Sequence, residues 1–184
     1  MSKNNLLLAL KYFIISQVVY WIFIFVAIVI LPSSLWANNG FSFFGVNKAT
    51  IIPYAFAIFG SAYFLYKTKF YLPTKKPFNI ISSLIPFMII LMIGIVITPY
   101  TISDSFGEIH QVLGIILFAM QFVLSIWLTF FVNKCFINYF FFAVLLAGGL
   151  LSLFSILGIS RYLIQGQIIF QLSYCVIFIN LLKK

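Results

Sequence analysis

Three residues near the middle of the chain carry the titratable chemistry: Asp104, Glu108 and His110. A spacing of Asp-x3-Glu-x-His could offer two carboxylates and one imidazole to a divalent cation, or serve acid–base chemistry. The plainer reading is that Asp104 and Glu108 favour the N-terminus of a helix through its dipole, with His110 at the membrane interface. No second His and no nearby Cys complete a metal-ligand set, so the sequence implies no metal and no cofactor. Arg161 is the cation expected to face these carboxylates from the start of a later helix.

The second candidate is a set of polar side chains inside apolar runs. His110, Gly114, Gln121 and Ser125 fall within about 60° of one another at 100° per residue. Gln167, Gln171 and Tyr174 repeat at i, i+4 and i+7, and Ser16, Gln17 and Tyr20 lie at similar depth in the first run. Polar groups in hydrocarbon are costly without partners, so these stripes are expected to face the interior of a bundle. They either line a polar cavity that orients a ligand or serve as interhelical hydrogen bonds that fix packing. The ligand reading assigns recognition to His110, Gln121, Gln167, Gln171 and Tyr174, with Asp104, Glu108 and Arg161 at an outward-facing mouth.

The elements that position these residues follow from hydropathy. Of the 184 residues 64% are hydrophobic and 7% charged, with a mean hydropathy of +1.19. A soluble domain carries about 25% charged residues. The expected fold is therefore all-α, a single membrane domain over residues 1–184 formed by a six-helix transmembrane bundle. The spans are expected near 8–31, 50–66, 79–97, 110–132, 136–158 and 161–182, each close to the ~20 residues that cross ~30 Å of hydrocarbon. The second span is short and could begin within 41–44. Pro32 and Pro99 end the first and third spans, and Pro86 is expected to kink the third. Gly148, Ser152 and Ser155 form a small-residue stripe on the fifth span, and Ala57 and Ser61 a shorter one on the second, both suited to close helix packing. The first run is too long for a secretory signal and Leu35 is not small, so it reads as a retained helix.

Charge sets the expected orientation. Lys3, Lys11, Lys67, Lys69, Lys75, Lys76, Lys134, Lys183 and Lys184 fall on one side of this alternation, and only Lys48 and Arg161 on the other. The positive-inside rule then puts both termini in the cytoplasm and the 32–49, 99–109 and 158–161 loops outside. The same explanation removes nucleic acid as a partner, although the net charge is +9. The outer segment 36–45 mixes Trp and Phe with Asn and Gly; it either folds as a lid over the outer mouth or floats at headgroup level. The two cysteines, Cys135 and Cys175, form no zinc pattern and read as reduced thiols. The Phe, Ile, Asn and Lys bias fits an AT-rich bacterial genome, hence a bacterial cytoplasmic membrane.

The chain offers neither the paired axial His of a haem bundle nor the several His of a membrane zinc hydrolase. It also lacks a serine-rhomboid constellation, a phosphate-binding Gly-rich loop and a twin-Cys motif, so no enzyme is expected. The six spans, the Asn39-Gly40 segment of the first outer loop and the His110-x3-Gly114 opening of the fourth span resemble the DRAM/FRAG-like membrane families and their prokaryotic relatives of unknown function. That resemblance implies membrane residence and the handling of a lipid or sterol. The layout is also similar to the substrate-binding subunit of energy-coupling-factor vitamin transporters, although Ala9 and Ala27 are too far apart for that family's Ala-x3-Ala docking motif. A third reading is a structural or assembly protein that binds another membrane protein.

Overall fold

A computed structural model describes residues 3–36 and 40–183. Ala37 and Asn39 of the first outer loop and Lys184 lie outside the described residues. Within them the chain is all helical, as α1 (Lys3–Ile30), a 3-10 turn (Pro32–Leu35), the single turn α2 (Phe43–Val46), α3 (Ile51–Tyr71), α4 (Phe78–Ile97), α5 (Asp104–Trp127) continued by a π turn (Leu128–Val132), α6 (Phe136–Ile156) and α7 (Leu163–Leu182). Five helices are long and apolar enough to cross a membrane: α1, α4, α5 with its π turn, α6 and α7. The sixth long helix, α3, has 21 residues but is diluted by Tyr54, Tyr63, Tyr66, Tyr71, Lys67 and Lys69.

Local chemistry sets the ends. The α5 helix begins at Asp104, not at the expected His110, because Ser103 is extended and its hydroxyl accepts from the Phe106 N–H at 3.3 Å. Asp104 is the first helical residue and Ser103 is the cap. The α3 helix runs to Tyr71, past the expected Tyr66, since Lys67 and Lys69 can lead their ammonium groups away along their stems. Residues 41–44 do not extend α3: α2 is separated from it by a turn in which the Asn47 side chain accepts from the Ala49 N–H at 3.0 Å. After α6, Gly158 adopts φ +76°. The Gly158 N–H meets the Ser155 carbonyl at 3.1 Å and the Ile159 N–H the Phe154 carbonyl at 2.8 Å, a paired closure that needs the left-handed residue.

Contacts show the long helices alternating in direction. At one end Tyr12 of α1 stacks on Tyr71 of α3, Phe13 on Phe178 of α7, and Asn138 of α6 bonds Asn180 of α7. At the other, Gln165 of α7 reaches Leu35 and His110 of α5 reaches Thr98 of α4. Lys11, Lys67, Lys69, Lys75, Lys76, Lys134 and Lys183 therefore share the first end, and Asp104, Glu108, Lys48 and Arg161 the second.

The two closest pairings are α1 with α3 and α6 with α7. Both use the small residues expected to serve packing. The Ser16 hydroxyl donates to the Ser61 carbonyl at 2.8 Å, beside buried Ala57. A Cβ built on Gly148 would lie 2.7 Å from the Phe170 nitrogen and 2.8 Å from the Gly166 oxygen, so the α6 and α7 backbones touch. The core has two parts. One gathers Phe13, Ile81, Leu128, Leu145, Ile177 and Phe178 toward the lysine-rich end. The other gathers Ile24, Ala27, Phe44, Tyr54 and Ile164 toward the opposite end. The outward faces are apolar as well: Phe25 is 65% exposed, Ile115 66% and Phe136 81%. Apolar exposure on this scale has its natural solvent in lipid.

Candidate functional site

One concave feature of the described residues is lateral. Ile80 and Leu84 of α4 and Ile115, Ile116, Ala119, Met120, Val123, Leu124 and Trp127 of α5 line an open groove of about 550 Å³. No polar side chain other than the Trp127 indole borders it. Its origin lies in how α5 is held. Near the lysine-poor end α4 and α5 touch: a Cβ on Gly94 would lie 2.9 Å from Leu113, and the His110 Nδ1 is 2.9 Å from the Thr98 carbonyl. Farther along, α5 turns toward α7 instead. Phe118 stacks on Phe170 at 4.1 Å, Leu124 and Leu128 are buried, and the Asn133 amide donates to the Asn180 carbonyl at 3.1 Å. The helices part, and their facing apolar side chains line the gap. Pro86 lies between the half of α4 that meets α5 and the half that borders the groove.

From Ile115 to Trp127 the groove follows 12 residues of helix, about 18 Å at 1.5 Å per residue. That is close to one leaflet of a ~30 Å hydrocarbon core. A groove of this length, lined by Ile, Leu, Val, Met and Ala, can hold a hydrocarbon chain by dispersion contacts. Within the lining only the Trp127 indole offers a polar group to a substrate.

The polar residues singled out from sequence lie outside the lining of this groove. Gln167 holds the first outer loop: its Oε1 accepts the Phe41 N–H at 2.8 Å, and its amide lies against Gly40. Gln165, which the sequence reading passed over, donates from Nε2 to the Leu35 carbonyl. Two glutamines on one turn of α7 thus pin both sides of the loop. Phe44 is fully buried, Phe41 meets Tyr20 and Trp21 edge-on at 6.1 Å, and the Thr50 hydroxyl donates to the Phe44 carbonyl at 2.9 Å. The segment 40–46 is therefore docked on the bundle, while Trp36 is 72% exposed. Around it the Trp21 Nε1, Ser34 Oγ and Gln165 Oε1 atoms are buried without a protein hydrogen-bond partner.

His110 faces α4, with Tyr100 edge-on at 5.5 Å. Partial burial holds the Tyr100 phenol above its ordinary pKa. The narrow crevice beside His110, bounded by Gly45, Tyr54 and Pro99, has a volume of only about 10 Å³. Asp104, Glu108 and Arg161 are exposed, and among the described residues no ion pair joins Arg161 to either carboxylate. No group of three His, Cys, Asp or Glu converges among the described residues. The stripe on α5 is divided: His110 turns to α4, a Cβ on Gly114 would meet nothing within 4 Å, and Ser125 is buried with its hydroxyl on the Gln121 carbonyl. Gln121 and Gln171 are half-buried and not hydrogen-bonded to each other. Tyr174 is buried, its hydroxyl 3.8 Å from the Met88 Sδ. The Gln17 Oε1 accepts from the Cys175 thiol at 2.8 Å, and both cysteines are free.

At the lysine-rich end lies a polar network that the sequence reading missed. The Asn138 amide donates to the Asn133 carbonyl at 3.0 Å and the Asn180 amide to the Asn138 Oδ1 at 3.1 Å. It ties the π turn to α6 and α7. Asparagines at span ends look the same in sequence whether they are buried together or solvated at headgroup level. Comparison of the chain with protein-family models, curated proteins and solved structures gave no match.

Proposed function

We propose that this chain is a non-catalytic, lipid-handling protein of a cytoplasmic membrane that holds a hydrocarbon chain laterally, between α4 and α5. The observation that carries this reading is the apolar groove of about 550 Å³, about one leaflet long and open on its side. The volume falls within the ~300–1,000 Å³ of ordinary ligand pockets. The lysine distribution supports an orientation with the groove in the cytoplasmic leaflet and the glutamine-pinned loop outside. The resemblance to the DRAM/FRAG-like families, with its implication of lipid handling, points the same way. The outer glutamines support a structural role there, since Gln165 and Gln167 are already occupied by the loop.

Native mass spectrometry of gently detergent-released protein tests the proposal. The wild type is expected to carry one lipid. Ala119→Trp, which fills the groove from an exposed position, should lose it, and Gln121→Leu/Gln171→Leu should keep it. Loss in the glutamine variant with retention in Ala119→Trp would reject the groove in favour of an internal polar cavity.

A further inference from the structure

We infer that the groove selects an anionic glycerophospholipid, its phosphate met by Lys75 and Lys76; this rests on the groove reading above. Both lysines are exposed in the 72–77 turn that leads into α4. The turn is fixed to the helix, because the Lys75 carbonyl accepts the Phe78 and Asn79 N–H groups at 3.0 and 3.3 Å. Ile80, at the foot of the groove, is the third residue of α4, which begins two residues after Lys76. Trp127 stands at the same foot on α5, where an indole suits the boundary between hydrocarbon and headgroups. A chain lying in the groove therefore brings its headgroup to the level of these two ammonium groups.

Among the described residues at this end no acidic side chain competes for them. The only acidic side chains are Asp104 and Glu108, which begin α5 at the opposite end. The start of α4 does not itself hold an anion, because its first amides are engaged: Ile80 N–H on Asn79 Oδ1 and Ile81 N–H on the Pro77 carbonyl, besides the two on Lys75. The lysine ammoniums are what remains to meet a phosphate. Their long stems let each act as a mobile point charge, suited to an oxygen anion without demanding a bidentate geometry.

The test is competition between phosphatidylglycerol and phosphatidylcholine of identical acyl chains, in mixed nanodiscs, read as the lipid retained on the released protein. A lysine near the surface favours an anionic lipid about fivefold, so the pair gives a preference of about twenty-fivefold. Lys75→Gln/Lys76→Gln should abolish most of that preference while one lipid is still retained. Lys11→Gln/Lys67→Gln, at the same end but on α1 and α3, should leave it intact. Equal loss in both lysine variants would mean a general basic surface and overturn the inference. Retention of one lipid by the wild type with no headgroup preference would overturn it while leaving the groove reading standing. Absence of any retained lipid would overturn both.

Discussion

Gly166→Ala adds one methyl group at the tightest point of the bundle. An ideal Cβ there would lie 2.7 Å from the Ser152 nitrogen and 2.8 Å from the Gly148 oxygen, and would fall on the Ser152 hydroxyl. Ordinary Cβ contacts are 3.4–4 Å. Two of the three opposing atoms are backbone, so no rotamer change relieves them, and α6 must move away from α7. A separation of ~0.5–1 Å forfeits a quarter to a half of the dispersion well for the contacts along the crossing. Overpacking of this kind costs about 1–3 kcal/mol. The alanine recovers up to ~1 kcal/mol of helix propensity, leaving a net loss of about 1–2 kcal/mol. Gly114→Ala is the matched control: nothing lies within 4 Å of its Cβ, so only the gain remains. Thermal unfolding in one detergent, followed by tryptophan fluorescence, should show Gly166→Ala below the wild type by about 2–8 °C. Gly114→Ala should equal or exceed the wild type. Equal behaviour of the two variants, or a stabilised Gly166→Ala, would refute the close α6–α7 crossing and the packing argument built on it.

Gln165→Leu/Gln167→Leu removes both ties to the outer loop, each worth about 1 kcal/mol; hydrogen exchange of residues 40–46 should rise while α6 stays protected. Ser34→Ala deletes a buried hydroxyl that has no protein partner, so stability should be unchanged or raised, whereas a loss above ~1 kcal/mol would show that the hydroxyl is satisfied. Asn138→Ala breaks the three-asparagine network and should cost about 0.6–2 kcal/mol in the same thermal assay. In sealed right-side-out vesicles a membrane-impermeant maleimide should label a cysteine placed at exposed Ser105 but not Cys135, which precedes α6 at the lysine end. Labelling of Cys135 alone would invert the orientation.

The helices were legible in the sequence because apolar runs bounded by Pro32, Pro99 and lysines leave the chain few alternatives in lipid. Their ends were read less well. Hydropathy stops at Lys67, although a lysine stem can run along a helix for another turn, and it discounts the Ser103 cap because three polar residues follow. The small-residue stripes pointed to crossings, since a missing side chain has one main use there. The polar stripes did not reveal their partners. Gln167 bonds a loop amide 126 residues away, and His110 turns to a carbonyl on the preceding helix. A helical projection gives the face of a residue and not the neighbour that covers it. The groove was invisible for a related reason. Ile115, Ala119 and Val123 are the residues that would face plain lipid, and only the divergence of α4 and α5 makes them a concave surface.

Photo-crosslinking locates the occupant of the groove most directly. Membranes containing a phospholipid with a diazirine near the middle of one acyl chain would be irradiated, and the labelled peptides mapped. Adducts are expected to concentrate on Ile80, Leu84, Ile115, Ala119 and Val123, to be lost on competition with excess unlabelled phosphatidylglycerol and to be absent from Ala119→Trp. Labelling spread evenly over exposed positions such as Phe25, Ile52 and Leu150, and insensitive to competitor, would mean that lipid merely surrounds the bundle and that the groove holds nothing in particular.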